Sequence, residues 1–330
     1  TFLGTGTSAG VPVIGCQCDV CTSDDQRDRR RRASVCLEFI DGEGQDRVIL
    51  VDTSPDLRAQ ALDHQLERCD AILFTHDHVD HTFGLDEVRR FNAVMGSAID
   101  IYAEKETLDF LHRVYRHIFE AEKNVNASFV ASLVEHELRV GEPLDLHGLR
   151  FTPLRLLHGR QRILGFRIEA LNDSAEVAQR QPGPLPLAYC TDVSEIPDET
   201  WPVLEGLQTV VLDMLRPQGH PTHFSTSEAI AAAGEISAGQ TWFTHMTHDI
   251  SHAGLELPAG LELAYDGLVL GAREAMVEPQ KSQLATPKLA LKPKEKSPEN
   301  KSGEKGVLGI RARQTGEGQV VITMVIPGAA

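Results

Sequence analysis

The stretch that decides the fold is Thr75-His76-Asp77-His78-Val79-Asp80-His81, which directly follows the apolar segment Ala71-Ile72-Leu73-Phe74. Residues two apart point the same way in an extended chain, so His76 and His78 can share one metal ion. Asp80 and His81 lie where the chain turns into a helical pattern, and they can face a second ion. An ordinary polar loop is the alternative, but it gives no reason for crowding three imidazoles and two carboxylates together. The motif therefore predicts a metal site.

Three later residues occur in the same context, each directly after an apolar, strand-like segment: His158, Asp192 and His245. A single histidine in such a place is more often structural than metal-bound. Loops that follow strands gather at one edge of a sheet, and the context recurs three times. We therefore expect these three residues to complete the metal site.

Short β-prone segments alternate with amphipathic helical segments in the rest of the body, which is an α/β pattern. The β-prone segments are residues 34–39, 48–51, 71–74, 99–102, 149–153, 164–169, 188–189, 209–212 and 240–244. The helical segments are residues 86–91, 106–122 and 227–236. No repeat occurs at 20 to 50 residues, so the pattern excludes a solenoid or a propeller.

Charge is distributed unevenly along the 330 residues, whose net charge is −16. Residues 276–330 hold nine basic and five acidic side chains, so residues 1–275 carry a net charge of −20. An acidic body argues against nucleic acid or an anionic membrane as partner. No apolar run approaches the roughly 20 residues that span a bilayer. We read the basic run at residues 29–32 as a solvated, salt-bridged face.

Composition also divides the chain into three parts. Residues 1–275 are predicted to form one folded domain. Residues 276–306, rich in Lys, Pro, Ser and Glu, are predicted to be a disordered linker. Residues 307–330 contain two β-prone runs around Gln-Thr-Gly-Glu-Gly and are predicted to form a β-hairpin-like tail of unknown role.

Three of the six cysteines, Cys16, Cys18 and Cys21, fall within six positions. Three thiolates and one imidazole make a closed tetrahedral zinc site, and such a site stabilises a loop that has little core of its own. Spacing leaves His248 and His252 open as the fourth ligand, and three buried or redox-active thiols are the alternative. The other cysteines lie in apolar segments and read as buried small residues. Reduced thiols that bind zinc favour the cytoplasm.

The pattern His-x-His-x-Asp-His at residues 76–81, with the later His158, Asp192 and His245, resembles the metallo-β-lactamase superfamily, specifically its metal-dependent phosphodiesterase branch. The resemblance covers about residues 1–272. It implies an α/β fold, the αββα four-layer sandwich, to which the C-terminal residues would be a flexible extension. It also implies that Asp52 supports the metal loop from behind the ligands.

Several segments are similar to the PhnP-type phosphoribosyl 1,2-cyclic phosphate phosphodiesterases. They are Leu3-Gly4-Thr5-Gly6-Thr7-Ser8-Ala9-Gly10-Val11-Pro12, Gly15-Cys16-Gln17-Cys18-Asp19-Val20-Cys21, Thr244-His245-Met246-Thr247-His248 and Tyr265-Asp266-Gly267. This resemblance implies that Cys16, Cys18, Cys21 and His248 hold a structural zinc. It implies that His223 is a catalytic histidine, although Arg216 and the inserted Pro-Gln-Gly-His depart from the expected pattern.

The resemblance also divides the catalytic ligands between two divalent ions, with zinc, manganese or iron compatible with the ligand types. His76, His78 and His158 would hold one ion, Asp80, His81 and His245 the other, and Asp192 would bridge them. The implied reaction is hydrolysis of a small phosphodiester by a metal-bridging hydroxide, with phosphoribosyl 1,2-cyclic phosphate as the leading substrate.

Other functions remain open from the sequence. A nuclease, a cyclic-nucleotide phosphodiesterase, or a thiolesterase or lactamase could share this fold, because a fold does not determine a substrate. A metal-binding interaction module is the non-enzymatic alternative. The sequence is compatible with a homodimer.

Overall fold

The computed structural model describes residues 1–126, 129–171 and 183–271, and the backbone of Gly309–Gln314 and Val320–Val325. The chain divides into two compact units, Thr1–Glu274 and Ala275–Ala330. The linker predicted at 276–306 lies outside the described residues, as does the predicted flexibility of the C-terminal extension. The predicted domain boundaries stay predictions.

Two β-sheets form the first unit. The first sheet contains, in this order, β1 (Phe2–Gly4), β2 (Ser34–Ile40), β3 (Asp46–Val51), β4 (Ala71–Leu73), β5 (Ile99–Ala103) and β6 (Leu133–Glu137). Its first three strands pair antiparallel, and β3 to β6 pair parallel.

The second sheet repeats this arrangement. Its strands, from one edge to the other, are β7 (Leu144–Leu146), β8 (Leu149–His158), β9 (Gln161–Ala170), β10 (Leu187–Cys190), β11 (Thr209–Asp213), β12 (Gln240–Thr244) and β13 (Leu261–Leu263). Strands β7 to β10 pair antiparallel, and β10 to β13 pair parallel. Both sheets are therefore mixed, and the metal-ligand candidates other than His158 lie in segments that follow strands with a parallel neighbour.

Six helices connect the strands among the described residues. They are α1 (Leu57–Asp63), α2 (Val79–Thr82), α3 (Arg89–Met95), α4 (Lys105–Val114), α5 (Arg116–Phe119) and α6 (Thr226–Ile236). Short 3₁₀ turns cover Gln26–Asp28, Leu85–Val88, Ala121–Lys123 and Trp201–Leu204. No described helix has the length and apolar character that crossing a bilayer requires.

Alternation along the strands creates the four layers, as β3 shows. Ile49 and Val51 point between the sheets, where they join a core that includes Phe151 and Phe166 of the second sheet. Leu50 points the other way, into a separate core built against the helices of the first sheet. A third core lies between the second sheet and α6. The predicted αββα sandwich is therefore confirmed.

The helix predicted over residues 106–122 is wrong as one continuous element. The chain leaves helical geometry at Tyr115, between α4 and α5. Tyr115 is buried, and its hydroxyl donates to the carbonyl of Thr82 at the end of α2. A tertiary contact to the metal-loop helix thus accompanies the break, and no local sequence pattern encodes that contact.

Gly84 follows the same helix and shows how tightly this loop packs. A Cβ at this position would lie 2.1 Å from the carbonyl oxygen of Ser54. Only glycine fits without moving the backbone, so the metal loop is fixed against the loop that follows β3.

The second unit contains β14 (Gly309–Gln314) and β15 (Val320–Val325), which pair antiparallel from Gly309↔Val325 to Gln314↔Val320. These strands fall where the two β-prone runs of the tail occur. Their role stays unknown.

Candidate metal centre

Four predicted ligands from both sheets meet in what we call the first metal group. Its members are His76, His78, His158 and Asp192, whose ligand atoms all lie within 4.8 Å of one another. His76 and His78 come from the loop after β4, His158 ends β8, and Asp192 follows β10. The rings of His76 and His78 are 4.6 Å apart between centroids. The structure therefore places these two side chains together, as their spacing predicts.

The second metal group adjoins the first and shares Asp192 with it. Its members are Asp80, His81, Asp192 and His245, again with all ligand atoms within 4.8 Å. Asp192 Oδ1 lies 3.2 Å from His81 Nε2 and 3.3 Å from His245 Nε2. His81 Nε2 is also 3.4 Å from Asp80 Oδ2. One carboxylate thus faces both groups, which is the place that a bridging ligand would occupy.

Unpartnered nitrogens show that both groups fit a cation. Nε2 of His76, His81 and His245 is buried and has no hydrogen-bond partner among the described residues. Burying a polar atom without a partner is costly, and these atoms converge on carboxylate oxygens. Imidazole nitrogens and carboxylates are the donors that divalent transition metals prefer. The donor set therefore matches divalent metal ions.

Three residues of the site share an unusual backbone conformation with a positive φ angle. Asp52, Asp192 and His245 each directly follow an apolar strand, and their φ angles are 64°, 58° and 62°. The left-handed region is uncommon for residues other than glycine, and it clusters at functional sites. In each case the chain turns sharply at the strand end and directs the side chain to the site.

Asp52 is buried behind the ligands, as the resemblance implies. Its Oδ2 lies 2.7 Å from His81 Nδ1, and its two oxygens accept hydrogen bonds from the amide and hydroxyl of Thr75. A carboxylate at Nδ1 fixes the tautomer of an imidazole and directs Nε2 toward a metal. His76 and His158 are held similarly, since their Nδ1 atoms lie 2.9 Å from Thr75 Oγ1 and 2.6 Å from the carbonyl oxygen of Thr222.

The electrostatics favour the ligating forms of Asp80, Asp192 and His76. Burial by itself would raise the pKa of Asp80 and Asp192, but neighbouring histidines outweigh burial and hold both values below the ordinary range. Burial, with the nearby charge of His81, holds the pKa of His76 well below its usual value. The carboxylates are therefore ionised and His76 is neutral, which are the states that bind a metal. For His81 and His245, burial lowers the pKa but neighbouring carboxylates outweigh it and raise both values, so these two imidazoles would release a proton on binding a metal.

Sequence analysis missed Asp213, the last residue of β11. This fully buried carboxylate lies 3.3 Å from His223 Nδ1 and accepts a hydrogen bond from the amide of Phe224. It is also 3.7 Å from Nδ1 of His245, whose ring stacks on that of His223 at 4.8 Å. The available signal was an aspartate ending an apolar strand, the context that led to Asp192.

His223 lies next to both metal groups, where the resemblance places a catalytic residue. Its ring centroid is 4.5 Å from that of His158. Burial, with the charge of His245, lowers the pKa of His223 to about 3. Burial also raises the pKa of Asp213 well above its usual range. A proton shared by these two groups can therefore rest on the carboxyl side.

A third set of ligands lies in the N-terminal loop, and we call it the cysteine group. Its members are Cys16, Cys18, Cys21 and His248. His248 Nδ1 lies 3.2, 3.5 and 3.3 Å from the three sulfurs in that order. His252, the alternative fourth ligand, does not belong to the group. Three sulfurs around one nitrogen fit a tetrahedral zinc site.

The thiols of the cysteine group differ in their tendency to ionise. The amide of Cys21 points at Cys18 Sγ and helps to lower the pKa of Cys18 to about 7. Burial raises the pKa of Cys21 to about 11. The other cysteines, Cys36, Cys69 and Cys190, are buried, as predicted.

The reading of residues 29–32 as a solvated face is wrong for Arg30. Its side chain is buried and pairs with Asp28, and it donates to the carbonyls of Thr247 and Ile250. Its two terminal nitrogens reach all three acceptors, whereas Nε is buried without a hydrogen-bond partner among the described residues. Arg31 and Arg32 do form the expected surface ion pairs, with Asp63 and Asp56.

Comparison with known proteins agrees with this geometry. The sequence profile of the β-lactamase superfamily domain matches residues 47–246. Zinc-bound PqqB from Methylobacterium extorquens shares the fold, with a TM-score of 0.59 at 21% identity over 81% of this chain and 97% of that one. The fold and the site therefore define a metal-dependent hydrolase of the metallo-β-lactamase superfamily.

Within the superfamily, a diphosphatase of the PhnP family is 38% identical, with a TM-score of 0.69 over 81% of this chain and 94% of that one. The chain belongs to the PhnP family. An octanoyltransferase of Porphyromonas gingivalis is 32% identical over 274 residues, which are 81% of this chain and 50% of that protein. The chain thus spans about half the length of that relative.

Proposed function

We propose that the protein is a phosphodiesterase that opens a small cyclic phosphodiester, with phosphoribosyl 1,2-cyclic phosphate as the leading candidate. The observation that carries this proposal is His223, supported by Asp213 at 3.3 Å, beside two adjoining metal-ligand groups. With metal ions bound, this combination would place electrophilic stabilisation beside a proton donor, and opening a cyclic ester requires both.

The two metal groups are proposed to hold two divalent ions, zinc or manganese. Such ions would supply a nucleophile from water near neutral pH and neutralise charge on the phosphate. His76, His78 and His158 would hold one ion, Asp80, His81 and His245 the other, and Asp192 would contact both. Asp52 would keep His81 in the tautomer that presents Nε2.

His223 is the proposed proton donor to the departing alkoxide. Its Nδ1 faces Asp213, which leaves Nε2 on the opposite edge of the ring, without a hydrogen-bond partner among the described residues. Asp213 also accepts from the Phe224 amide, so the carboxylate and the imidazole are held in a fixed arrangement. A proton lost from Nε2 can be replaced at Nδ1 from Asp213.

The cysteine group is proposed to hold one structural zinc. Its loop contains Ile14, whose side chain is fully exposed, and only Cys21 of the three cysteines is buried. A loop with so little core gains its order from an ion rather than from apolar packing.

A phosphoric anhydride is the second candidate substrate, since the 38% identical solved structure is that of a diphosphatase. Phosphate is a better leaving group than an alkoxide and needs less help from a proton donor. Replacing His223 should therefore slow the opening of a cyclic diester much more than the cleavage of an anhydride. This difference separates the two candidates.

The test is turnover by the metal-reconstituted protein with four substrates: phosphoribosyl 1,2-cyclic phosphate, a 2′,3′-cyclic nucleotide, bis(p-nitrophenyl) phosphate and a nucleoside diphosphate ester. Asp80→Ala is the inactive control. We expect the ribosyl cyclic phosphate to have the highest kcat/KM, and the variant to lose it. Preference for the cyclic nucleotide or the anhydride would replace the proposed substrate. Cleavage of thioesters or lactams in place of every phosphate ester would refute phosphodiester chemistry.

A further inference from the structure

The turn after β12 carries one residue of the second metal group and one of the cysteine group, three positions apart: His245 and His248. We propose that the ion in the cysteine group positions His245, so that losing this ion weakens metal binding in the second metal group and spares the first. The proposal rests on the structural zinc proposed above. Cys16, Cys18 and Cys21 would then be positioning residues for a ligand in a different site.

His245 differs from the other buried histidine ligands in how its ring is held. Nδ1 of His76, His81 and His158 lies within 3 Å of a protein oxygen, at 2.9, 2.7 and 2.6 Å. Nδ1 of His245 has no hydrogen-bond partner among the described residues, and its nearest carboxylate, Asp213, is 3.7 Å away. The side chain therefore lacks the anchor that orients the others, and its position depends on its backbone.

That backbone is itself in an unfavourable conformation, because His245 has a φ of 62°. A left-handed conformation costs of order 1–3 kcal/mol in a residue other than glycine, and it persists only where surrounding contacts impose it. Contacts made by the residues that follow His245 must therefore stabilise this conformation.

Residues 246–250 make the contacts that can stabilise the conformation of His245. The amide of Met246 donates to the carbonyl of Thr5, and the Met246 carbonyl accepts from the amide of Thr7. Arg30 donates to the carbonyls of Thr247 and Ile250, each at 2.8 Å. The amide of Thr247 also donates to the carbonyl of Leu215, after β11. Apart from that bond, these contacts attach the turn to the N-terminal segment and to a buried guanidinium, and neither belongs to the second sheet.

The cysteine group fastens the same N-terminal segment to the turn. Val11 and Arg30 exchange two backbone hydrogen bonds, both 2.8 Å long, so the start of the cysteine loop holds the backbone of Arg30. His248 closes the connection from the other side, with its Nδ1 within 3.5 Å of all three sulfurs. Without an ion, nothing but weak thiol contacts would join His248 to the loop.

The first metal group has no such dependence. Its four ligands come from the loop after β4 and from the ends of β8 and β10, and none lies after residue 192. Two of its histidines are anchored through Nδ1, as described above. Disturbing the turn at residues 245–250 should therefore change the two metal groups unequally.

The experiment counts metals in the full chain with Cys18→Ser, after the catalytic ions are exchanged for Mn²⁺. Zinc and manganese are measured by elemental analysis, and paramagnetic resonance distinguishes a spin-coupled Mn²⁺ pair from a single ion. We expect the variant to lose its zinc, to keep one Mn²⁺ per chain, and to bind the second about 10- to 100-fold more weakly. The coupled signal should give way to that of an isolated ion.

Two control variants make the result specific. Asp19→Asn changes an exposed residue of the same loop that is not a ligand, and it should keep the zinc and both Mn²⁺ ions. Val88→Ala opens a cavity in the helical core of the first sheet, and it should lower stability while keeping the coupled pair. If Cys18→Ser does not fold, a mercurial that removes zinc from the folded wild-type protein replaces it.

Three results would overturn this proposal alone. They are a coupled Mn²⁺ pair in zinc-free protein, equal loss of both Mn²⁺ ions, and the same selective loss in Val88→Ala. A wild-type protein without zinc at the cysteines would overturn it together with the structural zinc. None of these metal counts depends on turnover, so the proposed hydrolysis is tested separately.

Discussion

The metal centre and the cysteine group are two ligand sets of opposite construction. The ligands of the metal centre are mostly buried, come from the strand ends of both sheets, and are fixed by acceptors such as Asp52. The cysteine group lies on one loop with exposed Cys18, and only His248 comes from elsewhere. The fold therefore holds the ligands of the metal centre in place by itself, whereas the cysteine group is the set that we propose to depend on its ion for order. On that proposal, an ion would supply chemistry in the metal centre and order in the cysteine group.

The strongest test of this contrast replaces the shared carboxylate. Asp192→Asn should lower kcat/KM by about 10³-fold or more, because one side chain serves both metal groups, while the melting temperature should change little. Asp77→Asn is the matched control in the motif, since Asp77 belongs to neither metal group and accepts a hydrogen bond from Gln161. Steady-state kinetics and metal content decide the outcome. A loss of similar size in the control would mean that the ligand groups are wrongly assigned.

Proton donation should give the next largest effect. His223→Gln should lower kcat on a cyclic diester by about 10²- to 10³-fold, and Asp213→Asn by less, with KM and metal content nearly unchanged. His220→Gln, in the same loop with its ring 5.3 Å from that of His223, serves as control and should stay within a few-fold of wild type. Loss of bound metal in His223→Gln would show instead that this residue is a ligand.

The melting temperature should depend little on the ions of the metal centre and strongly on the ion of the cysteine group. Chelating the ions of the metal centre should leave the melting temperature within a few degrees, because strands and buried acceptors hold those side chains. Cys16→Ser should lower it by about 10 °C, which corresponds to roughly 3 kcal/mol for a domain of this size. Calorimetry of the chelated wild type beside the variant makes the comparison. Equal shifts would contradict the division between chemistry and order.

The smallest expected effect concerns Asp266, whose carboxyl is hydrogen-bonded to the N-terminal segment. Its carboxyl accepts from the amide and hydroxyl of Thr5 and from the amide of Arg31. Burial nevertheless outweighs these donors and raises its pKa to about 6, from 3.8. Folding thus favours the neutral acid, whose stabilisation is complete below about pH 4 and is lost as pH rises through about 6.

This pH dependence is measurable as the difference in unfolding free energy between wild type and Asp266→Asn. The difference should fall by roughly 2 kcal/mol between pH 4 and pH 7, since one unit of pKa is about 1.4 kcal/mol. Denaturation by urea at each pH provides the values. A flat difference would mean that the three donors keep the carboxylate ionised in the folded state.

The sequence identifies the site residues that have a metal-binding side chain and also a recognisable local context. His76 to His81 stand in one motif, and His158, Asp192 and His245 each follow an apolar strand. Asp213 also ends an apolar strand, but no other ligand-type residue directly beside it in the sequence marks it as part of a site. Its proposed role depends on His223, and the fold brings the two together.

Long-range contacts account for the other differences. Periodicity predicts one continuous helix, but the helix is interrupted at Tyr115, whose hydroxyl donates to the carbonyl of Thr82. Arg30 is buried although its neighbours are charged, because carbonyls more than 200 positions away accept from it. Neither partner can be read from a local window of sequence. Composition predicts such residues by their average behaviour, and these two are exceptions.

The division of ligands between the two sheets also sets an order of events during synthesis. Four of the seven ligand candidates have left the ribosome once residue 81 has emerged, but the last, His245, comes more than 160 residues later. The nascent first sheet presents a histidine-rich loop that no partner sheet yet covers. Because both metal groups include Asp192 and the second also needs His245, a nascent chain cannot complete its metal sites early. Activity therefore begins only when the second sheet has closed onto the first.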